Sequence, residues 1–289
     1  TLWAVPPSLY VGNTSQLRAD VRDQYGNIVR NDTPVTFTTD LGDPGPQPQM
    51  TYSGLAVSLL YSTKAGTAHI TATSGSAQPV TTTVTFVPGA PYSVTLQANP
   101  ITPTVGSNSV LTATVYDQYH NVIDNDIITV TFSRNLGNLA PTVVTTTNGV
   151  ATSRISDTLT GPRFITATSE PPALVGTATV TFTPDIPFTV TLTAQPITQT
   201  VGINSALNVT VTDRFGNWVA DGTPITFTKD LTSSIVSPVA TTSGIATSLI
   251  SSTLAGTAHI TATSGTAQDT TAVSFVPDVP STIELQAHP

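Results

Sequence analysis

Cysteine is absent from the 289 residues. No disulfide can staple this chain, and thiols give no reading of its redox compartment. Charge is scarce as well, at 9% of residues, with lysine only at Lys64 and Lys229 and glutamate only at Glu170 and Glu284. Charged helix formers are thus nearly missing, while threonine and valine abound, which predicts an all-β chain. The few arginines are scattered and the net charge is -8. Phosphate neutralisation needs clustered basic side chains, so nucleic acid is excluded as a partner. No apolar run approaches the length of a membrane span. The chain begins at Thr1 without an initiator methionine or signal-like segment, which predicts a section or processed piece of a longer protein.

What the sequence does have is repetition. Asp23-Gln-Tyr-Gly-Asn27 returns as Asp117-Gln-Tyr-His-Asn121 and as Asp213-Arg-Phe-Gly-Asn217. Each copy precedes a short apolar segment: Val35-Thr-Phe37, Val130-Thr-Phe132 and Ile225-Thr-Phe227. A period of about 95 residues is a small domain and too long for a solenoid turn. Repetition also acts as an internal control, because a residue required by the fold recurs whereas a catalytic centre would normally occur once.

Alternation marks the strands. Leu17, Ala19 and Val21 are interleaved with Arg18, Asp20 and Arg22, and Leu111, Ala113, Val115 and Leu207, Val209, Val211 repeat the pattern. Ala68, Ile70, Ala72 and Ala258, Ile260, Ala262 do the same. Period two with one apolar face predicts half-buried antiparallel strands, and turn residues at short intervals give the rhythm of a β-sandwich. Proline-bracketed joints separate the copies at Phe86-Val-Pro-Gly-Ala-Pro91, Phe182-Thr-Pro-Asp-Ile-Pro187 and Phe275-Val-Pro-Asp-Val-Pro280. Two prolines so close together fix φ twice and make a short, stiff joint. The expected units are residues 1–90, 91–186 and 187–280. Residues 281–289 match the opening strand again, so they begin a fourth repeat or supply a strand to another subunit. Three compact units in a row predict a rod on the order of 100 Å long.

Taken in register, several motifs carry a resemblance. Asp-x-aromatic-Gly-Asn is followed by Val/Ile-Thr-Phe, then by Gly54-Leu-Ala-Val-Ser58 and Ala65-Gly-Thr-Ala-His-Ile-Thr-Ala-Thr73, with third-repeat copies at Gly244-Ile-Ala-Thr-Ser248 and Ala255-Gly-Thr-Ala-His-Ile-Thr-Ala-Thr263. This pattern resembles group-one bacterial immunoglobulin-like domains, the tandem modules of invasin- and intimin-type adhesins. The resemblance implies three tandem immunoglobulin-like β-sandwiches forming an elongated rod, at the surface of a bacterium or outside it. The second repeat departs most, with His120 in place of glycine and Gly161-Pro-Arg-Phe164 in place of Gly-Thr-Ala-His.

Candidate chemistry is thin. The paired Asp and Asn of each turn would offer oxygens to Ca²⁺, but one carboxylate and one amide fall short of the six to eight oxygens calcium takes. Bonding of the same side chains to nearby backbone is the favoured reading, with no cofactor expected. His69 and His259 are equivalent, yet their counterpart is Phe164, which neither binds metal nor moves protons. His120 and His288 complete the histidines, and no metal-ligand spacing occurs. No Gly-x-Ser-x-Gly segment and no one-off carboxylate cluster occur either, so the chain reads as a non-enzyme. A shared Lys–Asn isopeptide staple is excluded, because repeat two has no lysine. Asn13, Asn31 and Asn208 head Asn-x-Ser/Thr triplets, which matter only in a glycosylating host.

Trp3 and Val5 stand out. Their equivalents are Gln97, Thr193 and Gln286, and Asn99, Gln195 and His288. The first strand is therefore apolar on a face that other copies make polar, which marks Trp3 and Val5 as interface candidates. Ile283 and Leu285 of the trailing strand join them, since a strand donated to an open sheet edge binds through main-chain bonds. The expected partners are further repeats or further copies of the chain, and the expected function is that of a semi-rigid rod in an extracellular fibre. The alternative is an adhesin module that binds a host surface protein or glycan.

Overall fold

The computed structural model describes residues 1–286 and, among them, contains strands and no helix. The first repeat shows the plan. Its strands are β1 (Leu2–Val5), β2 (Ser8–Tyr10), β3 (Thr14–Asp20), β4 (Pro34–Thr39), β5 (Gln49–Met50), β6 (Leu55–Tyr61), β7 (Gly66–Thr73) and β8 (Val80–Val87). One sheet runs β1-β3-β6 and the other β2-β8-β7-β4-β5. Pro6 and Pro7 lack N–H donors, and there the opening segment changes sheet. Before them β1 lies antiparallel to β3; after them β2 lies parallel to β8, with Ser8 opposite Thr85.

The other repeats follow the plan. In the second, Asn108–Tyr116 lies between Ser93–Asn99 and Val150–Ser156, while Gly161–Glu170 lies between Thr129–Arg134 and Leu174–Phe182. In the third, Ser205–Thr212 lies between Thr189–Gln195 and Ile245–Ser251, and Gly256–Ser264 between Pro224–Lys229 and Ala267–Val276.

The alternating residues meet between the sheets. Three separate hydrophobic clusters result, running from Val11 to Phe86, from Val94 to Phe182 and from Val190 to Phe275. Leu17, Leu111 and Leu207 are fully buried, as are Ile70, Ile165 and Ile260 to within 1%. Burying one such side chain contributes about 2 kcal/mol.

Buried polar groups repeat too. Ser15, Ser109 and Ser205 are inaccessible and donate to the carbonyls of Pro6, Pro100 and Pro196 at 2.6–2.7 Å. Thr51, Thr146 and Thr241 accept from the N–H of Thr33, Ile128 and Thr223. Each hydroxyl closes a gap where the backbone leaves its ladder, as burial demands. Among the described residues no buried side-chain polar atom lacks a partner.

A clamp between consecutive repeats

The Asp-x-aromatic-x-Asn turn builds itself in the same way three times. Asp23, Asp117 and Asp213 accept at Oδ1 from the N–H groups two and four residues on, each at 2.9 Å. Their own N–H groups donate to the carbonyls of Asn27, Asn121 and Asn217. The residue before the asparagine takes a left-handed backbone, with φ of 86° at Gly26, 69° at His120 and 84° at Gly216. His120 thus preserves the turn that glycine forms elsewhere, and its ring stacks on Tyr116 at 4.4 Å. Each asparagine Nδ2 also donates to Oδ2 of its aspartate.

In the second and third copies the same turn reaches into the preceding repeat. Asn121 donates from Nδ2 to the carbonyl of Thr63 at 2.9 Å, and its Oδ1 accepts from the N–H of Ala65 at 2.9 Å. Asn217 does the same with Thr158 at 2.8 Å and Thr160 at 3.2 Å. The aspartate grips the joint itself. Asp117 Oδ2 accepts from the N–H of Gly89 at 3.0 Å, and Asp213 Oδ2 from that of Asp185 at 3.1 Å. Arg214 pairs with Asp185 at 3.0 Å and lies over the ring of Phe215.

The aromatic residue completes the clamp. Tyr119 packs onto Gly12 and Phe215 onto Gly106, where a Cβ on either glycine would collide with the ring. Phe215 also rests against the core cluster of the second repeat. The neighbouring Tyr119 hydroxyl pushes the Tyr61 pKa up. Burial would raise the carboxyls of Asp117 and Asp213, but donors from the joint, the asparagine and the turn outweigh it and hold both below the ordinary value.

The turn that receives the asparagine comes in two chemistries. In the first and third repeats Ser62 and Ser252 close it, each accepting from the N–H two residues on and donating to that residue's carbonyl. In the second repeat Asp157 holds the same place, and Arg163 stands where Ala68 and Ala258 enter the other cores. Arg163 is buried and donates from Nε to Asp157 Oδ2 at 2.5 Å and from Nη2 to the Leu159 carbonyl at 2.6 Å. The guanidinium also faces the Phe182 ring at 5.7 Å. Burial works against the Asp157 charge, yet the bond from Arg163 and the N–H groups of Leu159 and Thr158 hold its carboxyl below the usual range.

The remaining candidates lie apart from the clamp. His69 and His259 are exposed and bond through Nδ1 to Asp40 and Asp230, whose other oxygen accepts from the same histidine's N–H. Asn135 accepts from the Phe164 N–H in the equivalent place. These residues cap a strand edge. Among the described residues no three His, Cys, Asp or Glu side chains converge as a metal site. Trp3 and Val5 both sit on the exposed face of β1, paired across the ladder with Arg18 and Gln16. Gln16 lies opposite Leu59 and Thr14 opposite Tyr61, so Leu59 and Tyr61 extend the apolar strip across that sheet. Ile283 and Leu285 are almost fully exposed, and residues 281–286 form no strand. His288 lies outside the described residues.

Residue patterning pointed to the turn but not to its reach. Asn121 and Asn217 bond across a joint, and nothing in the motif distinguishes them from Asn27, whose bonds stay within its own turn. Arg163 aligns with alanine, and only reading Asp157 beside it would have revealed a buried ion pair.

No family model matches the sequence. The fold is similar to the crystal structure of invasin, a bacterial integrin-binding protein, with a TM-score of 0.62 at 22% identity. That match covers 96% of this chain and 60% of the invasin structure, so the chain spans less than two thirds of it. FdeC, an Escherichia coli adhesin, matches with a TM-score of 0.61 at 16% identity over 96% of both chains. InvD of Yersinia pseudotuberculosis matches with a TM-score of 0.54 at 20% identity over 96% of this chain and 98% of the other. The chain therefore has the fold of the immunoglobulin-like domains of bacterial invasin-type adhesins.

Proposed function

We propose that this chain is a non-catalytic, semi-rigid rod within an adhesin-like protein of the bacterial cell surface, where it spaces or presents other parts of that protein. The carrying observation is the clamp, which ties repeat two to repeat one and repeat three to repeat two through the same two asparagine bonds. Each joint adds an aspartate bond to the linker and an aromatic ring over a glycine, contacts that resist bending in more than one direction. The likeness to invasin, FdeC and InvD supports the surface setting. Negative-stain electron microscopy over a concentration series, with a second sample ending at Pro280, tests the reading. Straight particles on the order of 100 Å long are expected. Particles folded back on themselves would sink it, and fibres that vanish with the truncation would assign assembly to residues 281–289.

A second reading rests on the strip formed by Trp3, Val5, Leu59 and Tyr61. Equivalent positions in repeats two and three are mostly polar, so this sheet face suits contact with a surface protein or glycan. Binding of the chain to cultured host cells that is lost in a Trp3→Ser, Leu59→Ser variant would favour it.

A further inference from the structure

Repetition separates what the fold needs from what one surface adds. The outward positions of the β1-β3-β6 sheet carry Trp3, Val5, Gln16, Arg18, Leu59 and Tyr61. Arg18 corresponds to Thr112 and Asn208, Gln16 to Val110 and Ala206, and Tyr61 to Ser156 and Ser251. Repeats two and three build the same sandwich without this set, so the fold does not require it. The counterparts of Trp3, Gln97 and Thr193, stay exposed although a repeat is docked ahead of each. Docking of a preceding repeat therefore leaves this face open.

Arg18 stands in the middle of the strip, directly opposite Trp3 on one side and Val57 on the other. Its Nε donates to Gln16 Oε1 at 2.7 Å, which holds the guanidinium along the strand. Among the described residues Nη1 and Nη2 have no partner, and no carboxylate pairs with Arg18. Asp20, the next outward residue on β3, is taken by Arg22 at 3.0 Å. A guanidinium fork matches the two oxygens of a carboxylate.

We propose that this strip binds an acidic polysaccharide, with Arg18 pairing with a uronic-acid carboxylate while the rings of Trp3 and Tyr61 cover the apolar C–H faces of sugars on either side. The proposal rests on the strip reading above and names its ligand. Charge complementarity selects the carboxylate, because the guanidinium is held among aromatic and aliphatic groups without a counter-ion. A chain of sugars suits the strip better than a single ring. Trp3 and Tyr61 lie two strands apart, with partners Arg18 and Thr14 on β3, which places them on the order of 16 Å apart. A peptide suits it less, since β3 is already paired on both sides and a sheet face offers no main-chain bonds. The net charge of -8 gives an anion no long-range attraction, so recognition is local and weak.

Amide NMR of the isotope-labelled chain, titrated with an oligogalacturonate and separately with its methyl ester, tests the pairing. The ester keeps every sugar ring and removes the charge. The acid is expected to shift the Trp3, Arg18 and Leu59 amides and the Arg18 Nε–H, and to leave the counterparts Gln97, Thr112 and Arg154 unmoved. The ester should bind about tenfold more weakly, the scale of a charged hydrogen bond. Arg18→Gln should weaken binding of the acid by a similar factor, with unchanged spectra away from the strip. Arg18→Lys should recover part of the loss, since it keeps the charge without the fork. Unshifted strip amides, an ester bound as tightly as the acid, acid binding unaffected by Arg18→Gln, or an oligoglutamate peptide that shifts the strip as strongly would each overturn the proposal. The strip reading fails separately. Host-cell binding that survives Trp3→Ser, Leu59→Ser sinks the strip, whereas binding lost in that variant but kept in Arg18→Gln overturns only the acidic ligand.

Discussion

The same five-residue turn occurs in two settings. At Asp23–Asn27 it is exposed and bonds only itself, whereas at Asp117–Asn121 and Asp213–Asn217 it is docked. Asp117 and Asp213 are almost inaccessible, and their carboxylates take one more backbone donor than Asp23 does. The local fold of the turn does not depend on docking, because Oδ1 accepts the same two N–H groups in every copy. The motif therefore serves two purposes at once. It closes a turn within its own sandwich, and its spare asparagine valences and aromatic ring recognise the sandwich before it.

The largest effect is expected at the receiving turn of the second repeat. Arg163→Ala leaves the half-buried Asp157 without its partner and should cost roughly 3 kcal/mol in that repeat, read by hydrogen exchange of the Leu159 and Thr160 amides. Changing both residues to those of the other repeats, Asp157→Ser with Arg163→Ala, should recover most of the loss. A double variant no better than the single one would show that the pair is not the reason for the exchange.

The clamp comes next. Asn217→Ala removes two bonds across the joint and the forked bond to both oxygens of a buried carboxylate, at about 2 kcal/mol in total, and should release repeat three from repeat two. Asn27→Ala should leave global unfolding close to that of the parent chain. Equal effects at the two positions would erase the distinction between free and docked copies.

Glycine substitutions sharpen the comparison further. Ala at Gly12, Gly106 or Gly202 carries a similar backbone strain of about 1 kcal/mol, since φ is 80–82° at all three. Only Gly12→Ala and Gly106→Ala should also displace an aromatic ring and loosen a joint, seen as faster exchange at Ala65 or Thr160. The smallest effect is expected from pH. Asp117 and Asp213 have depressed folded pKa values, so their stabilisation is present above the ordinary carboxylate value and lost as pH falls through the depressed one. The joints should hold at neutral pH and loosen only below about pH 4. Asp117→Asn should remove the first joint's share of that dependence.

Periodicity made the sandwiches legible. Leu17, Leu111 and Leu207 alternate with polar neighbours, and the structure buries all three. The Asp–Asn turn was legible as a turn, because its side chains satisfy nearby backbone. Its second role was not, since the partners Thr63 and Ala65 contribute main-chain atoms that leave no signature in side-chain identity. Arg163 was hidden for another reason. A long charged residue at an inward position reads as a break in the pattern until its partner Asp157 is seen six residues earlier. The apolar strip was half visible. Trp3 and Val5 were conspicuous against their polar equivalents, but Leu59 and Tyr61 join them only through the β3–β6 register.

The central claim is that the asparagine clamp fixes the orientation of successive repeats. Because the chain has no cysteine, dyes can be attached at Ser76→Cys in the first repeat and Thr266→Cys in the third, and single-molecule energy transfer then reads their separation. The account predicts one narrow distribution for the parent chain and a broad one for the Asn121→Ala, Asn217→Ala variant. A broad distribution in the parent, or an unchanged narrow one in the variant, would contradict it.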